Sequence, residues 1–299
     1  VRIFVTGAGG FIGGAVCRRL AALGHDVVGH VSSRDGALAY GSIPPGIEAI
    51  VNSAGKLGRT EVSERELTTS NALLPERLAR FCAAARIPLV HISTPGVVGL
   101  RVDATEALPP APWGPYERSK AEGESLVRKH LDLPGGLLTI LRPDFVYGPG
   151  DTHKLELFRQ AARGCMPLIG HSGARLRPTF VDDVCAAVTE SLPGGCLNGD
   201  LYHVGGPGTA TLRELTQCIA TSLGRRLLPL PLPRPVYLLA LRLGPLCPRS
   251  ITPGRLQLLG SDHWVSIRKA AAAGFEPVVG LEEGVRATVE WYRTEGLLR

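Results

Sequence analysis

VRIFVTGAGGFIG, Val1–Gly13, is the stretch that decides the fold. Val1 to Thr6 is a short, mostly apolar run, the pattern of a strand buried on both faces. Gly7, Gly10 and Gly13 follow. The first glycine suits a tight turn, the second lets the backbone approach a pyrophosphate, and the third lets a helix pack close to the strand. Ile12, Val16, Leu20 and Leu23 then recur at helical spacing, and Gly24 marks a helix stop. Strand, glycine turn and helix in that order form a dinucleotide-binding entry, because the helix start directs free N–H groups at phosphate. The competing reading is a glycine-rich turn in an unrelated α/β protein.

About a hundred residues further on stands YERSK, Tyr116–Lys120. A free phenol titrates near pH 10, too high for acid–base work at neutral pH. A lysine one helical turn away favours the phenolate and lowers that value. Alone the spacing is weak, and beside an ordinary helix Lys120 would simply be solvated. With the glycine motif upstream, the pair points to hydride exchange between a nicotinamide and a carbonyl or alcohol.

On these motifs the sequence resembles the extended short-chain dehydrogenase/reductase family, which includes the NAD-dependent epimerases and dehydratases and the 3β-hydroxysteroid-dehydrogenase-like reductases. TGAGGFIG matches the family's TGxxGxxG and YERSK its YxxxK. The resemblance implies an α/β chain: a Rossmann-type doubly wound parallel sheet with a smaller C-terminal substrate domain. Residues 1–145 plus about 179–204 would form the dinucleotide-binding part, and about 146–178 plus 205–299 the substrate part. HISTPGVVG (His91–Gly99) resembles the segment carrying the catalytic Ser or Thr, so Thr94 takes that role, with Ser93 its immediate rival. SNALLPERLARFC (Ser70–Cys82) resembles the Asn-bearing helix and places Asn71 in support of the site. Besides Gly7, Gly10 and Gly13, the resemblance gives the cofactor Phe11, Ile12, Asn52, Ala54, Gly55, Pro143 and Val146, together with Tyr116 and Lys120. It gives the substrate Ser93, Pro95, Tyr147, Arg177 and His263. In the implied mechanism Thr94 holds the substrate oxygen, Tyr116 exchanges a proton with it, and Lys120 keeps Tyr116 acidic and holds the ribose. A homodimer through two helices, one carrying Tyr116, is also implied.

Two departures from the family pattern stand out. An acidic residue normally ends the second strand and binds the ribose hydroxyls. In DVVGHVSS (Asp26–Ser33) that place falls to His30, Ser32, Ser33 and Arg34, with Asp35 one residue late. Ser33 and Arg34 are therefore assigned to the cofactor. Arg34 is placed to receive a 2′-phosphate, which favours NADP(H), with NAD(H) as the alternative. The next strand, within IEAIVNSAG (Ile47–Gly55), then comes only about fifteen residues later. A strand the family normally fits there has no match, and AYGSIPPG reads as turn-rich loop.

Composition agrees with an enzyme. At 299 residues and 44% hydrophobic, the chain can bury a large core. The net charge of +6 comes from scattered arginines, with no basic run interleaved with aromatics, so nucleic acid is not expected as a partner. Seven dispersed cysteines without a CxxC pair read as free thiols in a reducing, cytoplasmic compartment, and no metal site is expected. No apolar run is long enough for an integral membrane segment. The Pro- and Leu-rich stretch Leu227–Gly254 resembles the region before the C-terminal strand in the steroid-dehydrogenase-like members, where an apolar helix lies over the substrate, which implies that PVYLLALRL gives the substrate pocket an apolar wall. The expected partner is a small molecule, and the favoured reaction is reduction of a small, fairly apolar ketone. The alternative is a nucleotide-sugar epimerase or dehydratase that retains NAD, and a redox-sensing binding module is the weakest reading. Pro95 and Gly96 stand where 4,6-dehydratases carry Asp-Glu, and RPDFVYGP lacks the Asn that nucleotide-sugar enzymes place before VYG. Arg177, by contrast, resembles an arginine those enzymes use.

Overall fold

The computed structural model describes residues 1–36, 38, 43–58, 61–132, 136–169, 174–242 and 260–298. Six strands form one sheet: β1 (Arg2–Thr6), β2 (Asp26–His30), β3 (Ala49–Asn52), β4 (Leu89–Ile92), β5 (Leu138–Pro143) and β10 (Leu201–Val204). Their order is β10-β5-β4-β3-β1-β2, and every pair is parallel. Alternate residues of β1 enter different cores. Ile3 and Val5 join the cluster that holds α1 (Phe11–Ala22) and α7 (Val181–Glu190) to one face. Phe4 joins Ile50, Leu78, Leu89 and Val127 on the other, under α4 (Leu74–Ala85) and α5 (Pro115–Val127). Burial on both faces explains why these strands lack a polar alternation.

β3 pairs directly with β1, and among the described residues nothing pairs along the outer edge of β2. The strand that the family pattern places there is thus not found among them, although residue 37 and residues 39–42, the first half of AYGSIPPG, lie outside the described residues. β2 itself ends at His30, three residues earlier than the run DVVGHVSS suggests. Ser32–Asp35 instead form a helical turn, α2, whose N-terminal amide at Val31 donates to the Asp35 carboxylate at 2.8 Å.

The smaller part is built from β6 (Val146–Tyr147), α6 (Leu155–Ala162), β7 (Cys165–Ile169), β8 (Arg175–Leu176), β9 (Thr179–Phe180), β11 (Ala210–Thr211), α8 (Leu212–Ser222), β12 (Leu228–Leu232), α9 (Arg234–Arg242) and the closing helix Leu281–Thr294. Its core joins Tyr147, Phe158, Phe180, Leu215 and Tyr292. In the Pro- and Leu-rich stretch, LPLPL is strand β12, pairing in parallel with β7, and α9 begins at Arg234. Residues 243–254 of that stretch lie outside the described residues, as does Cys247. Among the described residues no helix is long and apolar enough to cross a membrane.

One helical rod shows how a local rule shapes the site. Residues 64–85 run through α3 (Glu64–Thr68), a π-helical turn (Thr69–Leu73) and α4. Ser63 and Glu66 close its start with a capping box. Pro75 has no N–H for the carbonyl of Asn71, four residues back, and its ring would collide with that oxygen. The widened turn relieves the collision and pushes the Asn71 carbonyl out towards α5. Gly123 makes room there, since a Cβ at that position would lie 2.1 Å from the Asn71 oxygen.

Candidate active site

The glycine turn at the end of β1 has the shape its spacing implies. Gly7 adopts a φ of +71°, and a Cβ there would meet the Ala54 amide at 2.7 Å. A Cβ on Gly13 would lie 2.1 Å from the Gly7 carbonyl, so α1 could not start where it does. Gly10 donates to Gly7 O at 2.9 Å, and Phe11 and Ile12 open α1, partly buried against the core. Val146 packs against the same core. Asn52 stands differently from the sequence reading. It is fully buried: its Oδ1 accepts from Thr6 Oγ1 at 2.7 Å, and its Nδ2 donates to His91 Nδ1 at 2.9 Å. Asn52 therefore ties β1, β3 and β4 together inside the sheet and has no free group for a cofactor. Thr6 Oγ1 in turn accepts from the Ala54 amide at 3.3 Å, which positions the Ala54–Gly55 turn. Burial drives His91 well below its usual range, so the ring is neutral.

After β2, Arg34 does not stand free. Its Nε and Nη2 donate to Asp35 at 2.7 and 3.0 Å. This pairing holds the Asp35 carboxyl at about 2, with the Val31 amide contributing. The turn carrying Ser33 and Arg34 thus presents a paired acid and base in place of a free guanidinium.

Tyr116, Thr94, Lys120, Asn71 and Gly55 converge. Pro115 begins α5 with its fixed φ, and Tyr116 follows in the first turn. The Tyr116 hydroxyl is hydrogen-bonded to the Thr94 side chain, which also accepts from the Gly96 amide at 3.3 Å. Ser93 is buried with its Oγ unpartnered and does not line the cavity, so the geometry separates the two rivals in favour of Thr94. Lys120 Nζ donates to the Ile92 carbonyl at 3.0 Å, and a Cβ on Gly55 would come 3.2 Å from it. Asn71 makes no contact with the cavity. Its side chain accepts from the Lys56 amide at 2.8 Å and donates to Lys56 O and to Ser119 Oγ, both at 2.9 Å. Ser119 donates to Tyr116 O at 2.7 Å, so Asn71 braces the Gly55 turn against α5.

The electrostatics differ from the simple tyrosine–lysine argument. Burial, then the neighbouring Glu117, push the Tyr116 phenol above its usual value, and Thr94 opposes them. Burial pushes Lys120 down to about 8, opposed by Glu124. Lys120 donates to a carbonyl rather than to the phenol, so here Tyr116 is a protonated donor throughout the neutral range.

Tyr116 and Thr94 open on a cavity of about 720 Å³, within the usual range for small-molecule sites. Pro95, Pro143 and His263 line it, as do Leu57, Val62, Trp113, Asp144, Phe145, Lys154 and Trp264. Two expected substrate residues do not. Tyr147 is buried in the smaller core, edge-on to Phe180 at 5.7 Å. Arg177 donates through Nε to Val265 O at 3.0 Å and through Nη1 to Gly206 O at 2.8 Å, tying backbone segments together. The expected apolar wall from Leu227–Gly254 is also corrected: none of its described residues lines the cavity, because β12 pairs with β7 away from it. The cavity's apolar side comes instead from Leu57, Val62, Leu67, Trp113, Phe145, Trp264 and Val265.

A glycine cradle that any Cβ would fill, at the ends of parallel strands and beside a Tyr–Thr–Lys cluster, defines a dinucleotide-binding oxidoreductase of α/β type. The model of the NAD dependent epimerase/dehydratase family matches residues 3–205, and the chain belongs to that family. A relative, the 2-alkyl-3-oxoalkanoate reductase of Stenotrophomonas maltophilia, is 27% identical over 96% of this chain and 98% of its own. UDP-glucuronic acid 4-epimerase from Bacillus cereus, solved in complex with NAD, is 21% identical with a TM-score of 0.76 and covers 99% of each chain. Thermus thermophilus UDP-glucose 4-epimerase, also solved with NAD, is 25% identical with a TM-score of 0.72, covering 98% of this chain and 99% of its own. The preference for NADP(H) is corrected by these findings. NAD is the dinucleotide in both epimerases, and the guanidinium expected to receive a 2′-phosphate is paired with Asp35 instead.

Proposed function

We propose that this chain is an NAD-dependent enzyme acting at a secondary alcohol or ketone carbon of a nucleotide-linked sugar, with NAD retained between turnovers. The observation that carries the reading is the Tyr116–Thr94 hydroxyl pair, opening on the cavity between the sheet and the 263–265 segment. Arg101 brings positive charge to that wall, which suits a diphosphate. The two epimerase structures support the same substrate class. NAD, when bound, supplies the redox equivalent. Thr94 orients the substrate oxygen, and Tyr116 gives it a proton or takes one back. Lys120 and the Gly55 turn, braced by Asn71, hold the ribose side of the site. A second reading, reduction of an apolar 3-oxo compound, is favoured by Leu57, Val62, Trp113, Phe145 and Trp264 in the lining and by the reductase relative.

The test is to purify the protein, extract any bound dinucleotide, and follow UDP-glucose and UDP-glucuronic acid by NMR. Retained NAD with inversion at the sugar C4, and no net NADH, is the expected result. Stoichiometric NADH consumption with a 2-alkyl-3-oxo acid, without inversion, would transfer the assignment to the second reading.

Lys120 offers a check that needs no substrate. Its ammonium form is lost as pH rises through about 8. NADH affinity, followed by fluorescence, should weaken across that pH, and Lys120→Met should bind weakly with a flat profile. A limb that persists in the variant belongs to another group. The stability sign is opposite: between about 8 and the usual lysine value the unfolded chain binds more protons, so folding gains stability as pH rises there.

A further inference from the structure

Resting on the reading that the Tyr116 cavity takes the substrate, the geometry points to Asp144 as a specificity-determining residue whose Oδ2 receives a hydrogen bond from a substrate hydroxyl. Asp144 follows β5 directly and lines the cavity with Tyr116 and Thr94. It is 6% exposed, and its Oδ2 finds no partner among the protein's groups. The residue is held firmly. Its amide donates to Val204 O at 2.9 Å, its carbonyl accepts from Thr179 Oγ1, and backbone amides of Val265 and Phe145 donate to its carboxyl.

Nearby cations do not complete the shell. Arg177 is tied to Val265 and Gly206, and Lys154 to Val146 and Asp151. Burial raises Asp144 to about 7, and a carboxyl in either protonation state can bond a hydroxyl. A second unpartnered atom in the same wall has the opposite character: Trp113 Nε1 is a buried donor. A cavity wall with one unmet carboxyl oxygen and one unmet N–H suits a polyoxygenated substrate, and a plain ketone, which has no donor, would leave the carboxyl oxygen unsatisfied. A site built around a substrate hydroxyl rejects the analogue lacking it by as much as about 10⁴–10⁵-fold. Asp144 lies within RPDFVYGP, where the sequence reading assigned Pro143, Val146 and Tyr147 but gave Asp144 no role.

The test uses Asp144→Leu and Asp144→Asn, with thermal melting to establish that each folds. Calorimetry on the NAD-loaded proteins measures UDP-glucose against UDP alone. The wild type should prefer UDP-glucose, and Asp144→Leu should shrink that preference at least tenfold, with Asp144→Asn between the two. An unchanged preference overturns the proposal. If the wild type binds neither nucleotide, the nucleotide-sugar reading fails, and Asp144 is judged on NADH-linked reduction of 2-hydroxycyclohexanone against cyclohexanone. A wild-type ratio above about 100 that collapses in Asp144→Leu retains the role. Equal rates in the wild type, an unchanged ratio in the variant, or no response to either series overturns it.

Discussion

Tyr116→Phe should lower kcat by about 10²–10⁴-fold, the usual contribution of a placed general acid, and leave NADH affinity within a few-fold of the wild type. The ring would keep its place in the first turn of α5, because Pro115, the Asn71–Ser119 brace and the Gly123 contact all act on the backbone. Only the hydroxyl and its bond to Thr94 disappear. In the reduction direction the phenol is protonated across the neutral range and is the donor that the variant lacks. The measurement is single-turnover rate and NADH fluorescence titration on the same preparation. Turnover retained within tenfold would remove Tyr116 from the chemistry. Loss of NADH affinity in parallel would make it a structural residue instead.

Glu124→Ala should cost about 3–5 kcal/mol of folding stability, the range for breaking a buried ion pair from one side. Arg142 on β5 donates through Nε and Nη2 to Glu124 at 2.8 and 2.5 Å, and the two side chains are 4% and 5% exposed. The pair joins α5 to the sheet one turn below Lys120. Arg142 Nη1 already lacks a partner, so the guanidinium has no alternative acceptor to fall back on. Glu124→Gln should fall between wild type and alanine. Urea denaturation reads the effect as a shift in midpoint, and a change below about 1 kcal/mol would mean that water reaches Arg142. A functional consequence is linked to it. Glu124 raises the Lys120 value, so its removal should move the pH limb of NADH binding downward.

Much of this site was legible before any coordinates. Gly7, Gly10 and Gly13 are read from spacing, Gly7 and Gly13 because each answers a backbone requirement that no other residue meets, and Tyr116 with Lys120 is read from one helical turn. Thr94 was legible only with Ser93 as a rival, since the two adjoin just after β4 and a sequence does not say which side chain reaches the cavity. Arg34, Arg177 and Tyr147 were misread for a common reason. Their residue types suit a ligand, but a guanidinium or phenol is a site group only if the fold leaves it unpaired. Arg34 is taken by Asp35, Arg177 by two carbonyls and Tyr147 by the smaller core.

Glu124–Arg142 and the fit of Gly123 against Asn71 carry no motif, and Asp144, although it stands in RPDFVYGP, is not marked there as a free acceptor. They depend on contacts between residues 18 or more positions apart, which only the packed chain brings within reach. The sequence by itself determined the parallel sheet, the dinucleotide turn and the proton-transfer pair, because those rest on local backbone geometry and short-range periodicity. The tertiary structure alone decided which polar groups remain free in the cavity wall, because hydrogen-bond satisfaction is settled by neighbours that are distant in the chain.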